Sequence, residues 1–234
     1  MARSVDVGDI FKATAQVVKD GARDLGLFTL ILGGLTAIGV ALGLTETAAT
    51  TVSMGFSIDA TDTSTNGLFD LLAGVLSLVL GYMLVKQFLA RQGLLRAEGN
   101  RFWLYLGMII LTMIGLLIGF LLLIVPGVIL MVRWSASTGY LLGKGDGVVE
   151  SLSSSWRATR GHGWSIFLAG LLLIIAVFIV VGGLSAALLE VSATAGGIVT
   201  AFLEAATNGV LLAFGVAIYK LVADDATSLD EVFS

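Results

Sequence analysis

Cysteine is absent from the 234 residues, histidine occurs once, at His162, and proline once, at Pro126. Without cysteine there can be no disulfide framework, thiolate metal site or cysteine nucleophile. A lone histidine argues against haem and di-metal centres built on paired imidazoles. Charge is also scarce. Asp, Glu, Lys and Arg make up 13% of the chain, about half the share usual in soluble domains. The formal net charge is −4, which argues against nucleic acid as a partner. What is abundant is hydrophobic residues, at 57%, together with thirty glycines. So little polar material could not cover a water-soluble globule of this size. The expectation is an all-α, polytopic membrane helix bundle forming a single domain over residues 1–234.

A helix that crosses the hydrocarbon core needs about 20 mostly apolar residues. Leu25 to Leu44, Gly67 to Phe88, Phe102 to Val125, Gly163 to Leu189 and Gly196 to Val222 meet that requirement. The stretch from Phe102 to Gly143 is almost continuously apolar. As one helix it would be about 60 Å long, roughly twice the hydrocarbon thickness, so it must fold back. Val125-Pro126-Gly127-Val128 has the composition of a type II turn, which makes Gly127 to Gly143 a further span and six in all. The segment before the first span, Met1 to Asp24, has scattered charges and no short apolar core, unlike a signal peptide.

Basic residues orient the spans. Arg3, Lys12, Lys19 and Arg23 precede the first; Lys86, Arg91, Arg96 and Arg101 surround the second connection; Lys144, Arg157 and Arg160 follow the fourth span; Lys220 closes the last. The connection Thr45 to Asn66, the Pro126 turn and the link Glu190 to Ala195 contain no Lys or Arg. An even span count therefore puts every basic residue but Arg133 on one face. By the positive-inside rule that face, with both termini, is cytoplasmic. The Thr-, Ser- and Asp-rich connection Thr45 to Asn66 then reads as a solvated outer loop.

Two segments have helical amphipathic patterning. In Ser4 to Leu25, Ile10, Phe11, Val17 and Val18 oppose Asp6, Asp9, Lys12, Lys19 and Asp20, with Asp6 or Asp9 as the N-cap. In Asp146 to His162, Val148, Val149, Leu152 and Trp156 oppose Glu150, Ser153, Ser154, Arg157 and Arg160. Both are expected to lie as helices along the cytoplasmic interface.

The run Leu121 to Leu168, LLLIVPGVILMVRWSASTGYLLGKGDGVVESLSSSWRATRGHGWSIFL, resembles the membrane domain associated with bacterial glycerophosphoryl diester phosphodiesterases and the related YciC-like inner-membrane proteins. Val125-Pro126-Gly127, Arg133-Trp134-Ser135, the glycine-containing turn Gly143 to Gly147, Ser155-Trp156-Arg157, Arg160-Gly161 and Trp164 carry the likeness. It implies a bacterial cytoplasmic (inner) membrane protein. The phosphodiesterase activity does not transfer, because that catalytic domain uses paired histidines and acids around a metal.

Arg133 is the most informative single residue. An intramembrane arginine is costly and normally faces a partner. Asp70, Glu190 and Glu204 fall toward the same leaflet, and Glu204 is the expected partner. Together the four form a candidate site for a lipid headgroup or other anion; a structural ion pair, or Arg133 snorkelling to the interface, is the plainer alternative. A second candidate set, Glu150, Trp156, Arg157 and Arg160, would contact lipid or a partner protein at the interface, with His162 as a turn residue beside it. There is no phosphate-binding loop, metal-ligand spacing or nucleophile–base pairing, so no cofactor and no metal are expected. The reading is a non-enzymatic scaffold or partner subunit that organises membrane lipids or another membrane protein. Its alternative is a transporter or lipid-translocating protein using Arg133 and the outer-leaflet acids.

Overall fold

A computed structural model describes residues 5–44 and 65–233, with side chains for residues 5–44 and 67–223. The expected outer loop lies almost wholly outside the described residues. All described elements are helical. They are α1 (Val7–Asp20), α2 (Ala22–Ala41), α3 (Thr65–Arg91), α4 (Phe102–Leu122), α5 (Ile124–Arg133) and α6 (Ser137–Gly139), which runs into a π-helical turn, Tyr140–Lys144. They continue with α7 (Val148–Ala158), α8 (Gly163–Val177), a second π-helical turn (Phe178–Gly182), α9 (Gly183–Val191) and α10 (Ala193–Phe233). Among the described residues, five helical stretches are long and apolar enough to cross a membrane: Ala22–Ala41, Gly67–Arg91, Phe102–Leu122, Gly163–Val191 and Ala193–Ala223. Their outward side chains are those a soluble protein hides. Leu30, Ile38, Leu68, Leu117, Ile179 and Val180 are each more than half exposed. Apolar area of this extent is stable only when something other than water covers it, and the protein is membrane-embedded.

The apolar stretch does fold back, but at a different residue from the expected one. Leu123 alone leaves the helix, with extended backbone (φ −167°, ψ 152°), between α4 and α5. Pro126 is in the first turn of α5, where a residue without an N–H and with a fixed φ is tolerated. The expected type II turn at Val125-Pro126-Gly127-Val128 is therefore a one-residue break three positions earlier. The returning segment, expected as a span from Gly127 to Gly143, is not one helix. α5 has ten residues, about 15 Å at 1.5 Å each, and the chain then breaks at Trp134–Ala136 before α6.

The chain divides into two compact units. The first holds residues 1–21, 85–171 and 212–234. In it, α4 and α5 pack antiparallel through glycines: a Cβ built on Gly119 would lie 3.0 Å from the Gly127 Cα. Gly139 and Gly143 face the Tyr219 ring, which meets Tyr140 edge-on at 4.9 Å. α1 begins at Asp6, whose carboxylate accepts from the Val7 N–H at 2.7 Å. Its buried face is Ile10, Ala13, Thr14 and Val17, at the i, i+3, i+4, i+7 spacing of a core-facing stripe. Of the expected stripe, Ile10 and Val17 are buried while Phe11 and Val18 are only partly so. The second unit holds residues 22–84 and 172–211. There Gly33 of α2 admits Phe202, whose Cδ1 would lie 2.7 Å from a Cβ at that position, and Gly39 admits Phe69.

The glycine seam of the first unit supplies a test. Gly119→Val puts a branched side chain against the Leu130 side chain and the Gly127 backbone, of which the backbone cannot move aside. It should destabilise the α4–α5 packing by about 1–3 kcal/mol, the usual cost of overpacking. Gly34→Val, where nothing lies within 4 Å of the new Cβ, should shift the melting temperature in detergent far less.

Candidate functional site

The break at Trp134–Ala136 would strand backbone polar groups in an apolar setting, and α7 supplies what they need. The Ser155 hydroxyl donates to the Arg133 carbonyl at 2.7 Å and accepts from the Ala136 N–H at 3.2 Å. Thr159 Oγ1 donates to the Ser155 carbonyl at 2.9 Å and approaches the Arg133 carbonyl at 3.5 Å. Ser151 Oγ donates to the Gly147 carbonyl at 2.6 Å. These residues define the face that α7 buries: Ser151, Ser155 and Thr159 are fully buried, with Ser154 and Leu152 nearly so. Of the polar face expected of α7, Glu150, Ser153, Arg157 and Arg160 are exposed, but Ser154 is not. Val149 is 71% exposed, while Ser154, expected on the wet face, is buried. A buried hydroxyl is favourable here because it replaces hydrogen bonds that the broken helix has lost.

The turn before α7 is built by the same rule. The π-helical segment ends at Gly145, whose φ of +91° suits glycine. The N–H groups of Gly145 and Asp146 both donate to the Tyr140 carbonyl. Arg101, just before α4, donates from Nη1 to the Leu141 carbonyl and from Nη2 to the Asp146 carbonyl, both at 2.9 Å. The Asp146 carboxylate, 7% exposed, accepts from Ser154 Oγ at 3.0 Å and pairs with Lys144 Nζ at 3.5 Å. Glu150 accepts from the Gly147 N–H at 3.4 Å, capping the start of α7. Nearby, Gln92 donates to Asp20 at 2.9 Å and accepts from Lys220 Nζ at 2.7 Å, tying the end of α1 and the Lys220 side chain of α10 to the residue following α3.

Arg133 ends α5, where a cation complements the helix dipole. Its guanidinium lies 5.7 Å from the centre of the Trp156 ring, within cation–π range. It also stands beside Gly163, the first residue of α8: a Cβ built there would lie 3.9 Å from Cζ and Nη2. Nη1 is buried and has no hydrogen-bond partner. The structure thus unites two residues assigned on sequence to different sites, Arg133 and Trp156. Arg157 and Arg160 are exposed, at the end of α7 and just beyond it. His162 gives its carbonyl to the Ile166 N–H at 3.0 Å, starting α8. Asp70, Glu190 and Glu204 belong to the second unit; Asp70 and Glu190 are exposed and Glu204 partly buried. Within its own unit, Arg133 is met by an aromatic ring rather than a carboxylate. Among the described residues no cluster of three or more His, Asp or Glu has a metal-holding arrangement.

Set against the known protein families, the curated proteins and the solved structures, the chain matches none of them. The likeness of Leu121 to Leu168 to the phosphodiesterase-associated membrane domain rests on those residues alone. The class that the fold itself defines is an all-helical, membrane-embedded protein.

Sequence reasoning missed Arg101, Asp146, Ser155 and Thr159. The signal was there: Ser151, Ser155 and Thr159 recur every four residues, one face of a helix. Ser155→Ala should leave the Ala136 N–H unsatisfied and the Arg133 carbonyl with only the long contact from Thr159, and cost about 1–3 kcal/mol. Ser153→Ala, on the exposed side of α7, should be close to neutral. Paired thermal denaturation in one detergent compares the two.

Proposed function

We propose that the chain is a non-enzymatic, multi-pass membrane scaffold that organises lipids by holding an anionic headgroup at Arg133 and Trp156. One observation carries this reading: a guanidinium nitrogen buried without a hydrogen-bond partner. A buried, unsatisfied cationic donor is costly, and an anionic oxygen is the group that best relieves it. The Trp156 ring at 5.7 Å holds the same guanidinium without supplying the oxygen acceptor that it lacks. Exposed Arg157 and Arg160 add the positive field that draws anionic lipid to a bilayer surface. The hydroxyls buried on α7 are engaged with backbone groups and with Asp146, which supports a structural role for them rather than a nucleophilic one.

The clustering of Lys and Arg supports an orientation with both termini and the α7 face cytoplasmic. In this reading the protein resides in a bacterial inner membrane, as the resemblance of Leu121 to Leu168 implies. Membrane lipids are its partners, and another membrane protein is accommodated on its greasy flanks.

Native mass spectrometry of the purified protein tests the lipid site. Wild type should retain a stoichiometric anionic phospholipid. Arg133→Gln should lose most of it, and Arg157→Gln should keep it. An unchanged lipid complement in Arg133→Gln, with the fold intact by circular dichroism, would refute the site.

A further inference from the structure

The second unit is acidic and has almost nothing basic to answer its acids. Residues 22–84 and 172–211 hold seven Asp and Glu against one basic residue, Arg23. Glu204 is the acid set deepest in a span. It lies eleven residues from one end of Ala193–Ala223 and nineteen from the other, about 16 Å of helix from the nearer end. Arg23 does not reach it. Leu25 meets Gly209 and Gly33 meets Phe202, so α2 and α10 are antiparallel and Arg23 is level with residues beyond Gly209, about two helical turns from Glu204. Among the described residues Glu204 has no ion pair and no hydrogen bond. An ionisable side chain inside a span is costly and marks a functional site by default.

Two hydroxyls of the same unit are also without partners. Ser185 Oγ and Thr200 Oγ1 are buried and make no hydrogen bond, and Ser185 is 4% exposed. A buried helical hydroxyl can fall back on the carbonyl four residues earlier, as Thr14 and Thr36 do, but these two do not. The register of α9 and α10 puts them on one seam with Glu204. A Cβ built on Gly196 would lie 2.7 Å from the Leu189 nitrogen and 2.8 Å from the Leu188 carbonyl carbon, so the two backbones touch there. Ser185 and Thr200 are each about one turn further from the Ser192 joint than this contact. Ser185 is on the side of α9 that carries Leu188 and Leu189, and is the buried residue of that helix. Gly196, Thr200 and Glu204 recur every four residues along one side of α10. Glu204, one turn beyond Thr200, is level with the π-helical turn Phe178–Gly182 that leads into α9. Such turns are frequent at functional sites.

We propose that Glu204, Thr200 and Ser185 hold one sodium ion between α9 and α10. The cation neutralises the carboxylate, and the two hydroxyl oxygens replace part of its hydration shell. One carboxylate matches a single charge. Calcium takes about six to eight oxygens, several of them from carboxylates, and among the described residues no three acidic or histidine side chains gather to supply them. Sodium suits the seam better than the larger potassium because both hydroxyl oxygens are fully enclosed. The surrounding charge has the sign that draws a cation in. From Gly161 to Tyr219 the chain carries Glu190 and Glu204 and no Lys or Arg, and Glu190 is exposed beside the Ser192 joint. This site goes beyond the lipid reading and does not rest on it, since Arg133 and Trp156 belong to the first unit.

Equilibrium dialysis of the full chain in detergent against radioactive sodium, with choline as the replacement salt, reads the site directly. Wild type should bind sodium at a single site per chain, and its melting temperature should rise when sodium replaces choline at fixed ionic strength. Glu204→Gln should abolish both effects. Ser185→Ala and Thr200→Val should each weaken sodium binding roughly tenfold. Arg133→Gln should bind sodium as wild type does, whatever becomes of its lipid. Absence of sodium binding in wild type would overturn the proposal, as would binding retained in a folded Glu204→Gln. Where Glu204→Gln does not fold, the hydroxyl variants decide, and unchanged sodium affinity in both would overturn it. A melting temperature that answers to pH but not to sodium would mean that the carboxyl takes a proton alone, with the same consequence. Potassium displacing sodium mole for mole would overturn the assignment to sodium.

Discussion

A backbone amide or carbonyl released from a helix in an apolar setting has to find a new partner, and most of what is distinctive in this chain follows from that requirement. Apolar helices need little explanation once hydrocarbon is the solvent, since an uninterrupted helix satisfies its own backbone. The interruptions are informative. Between α5 and α6 the Ser155 hydroxyl donates to one freed carbonyl and accepts from one freed N–H. At the end of the π-helical turn, the Arg101 guanidinium meets two carbonyls at once. At Leu123 no side chain helps, and the break is confined to one residue, with proline close behind. Each solution suits its surroundings: a hydroxyl where the neighbour is another helix, a charged fork near the basic end, and economy of donors where nothing polar is at hand.

The same requirement explains why the buried face of α7 differs from the one its patterning suggests. Amphipathic patterning assumes that apolar side chains seek the protein or the lipid and hydroxyls seek water. In α7 the hydroxyls are turned inward because the broken α5–α6 segment offers them partners that water would otherwise have been. Val149, left outward and 71% exposed, is then the residue that meets the apolar part of an interface. The sequence carried the helix itself, its approximate limits and the Glu150 cap. It could not show which face was buried, because that depends on a break in another helix that the apolar composition of Gly127 to Gly143 conceals.

Elsewhere legibility followed the same line. The five long apolar helices, the fold-back between Phe102 and Gly143, and the Asp6 cap of α1 could be read from hydropathy, length and capping chemistry, since these are local properties. The site of the fold-back was misplaced because proline and glycine in sequence suggest a turn, whereas proline is also at home in the first turn of a helix. The surroundings of Arg133 were harder to read. Counting along spans relates residues by depth only, and it directed attention to the acids Asp70, Glu190 and Glu204. The neighbour that the first unit supplies, Trp156, lies 23 residues away along the chain on a helix whose orientation depends on Ser155.

That link between Ser155 and Arg133 joins the two halves of the functional reading. Arg133 is the last residue of α5, and the carbonyl that Ser155 and Thr159 engage is its own. The contacts that repair the helix break therefore also fix the backbone from which the guanidinium projects. They come from the same α7 that carries Trp156 one position after Ser155. Two consecutive residues thus hold the arginine at both ends, the hydroxyl at its main chain and the indole beside its charge. A guanidinium held this way loses little further conformational entropy on meeting an anion, which favours tight binding. In the proposed arrangement the α5–α6 break and the headgroup site share one anchor, so a change at Ser155 would be felt by both.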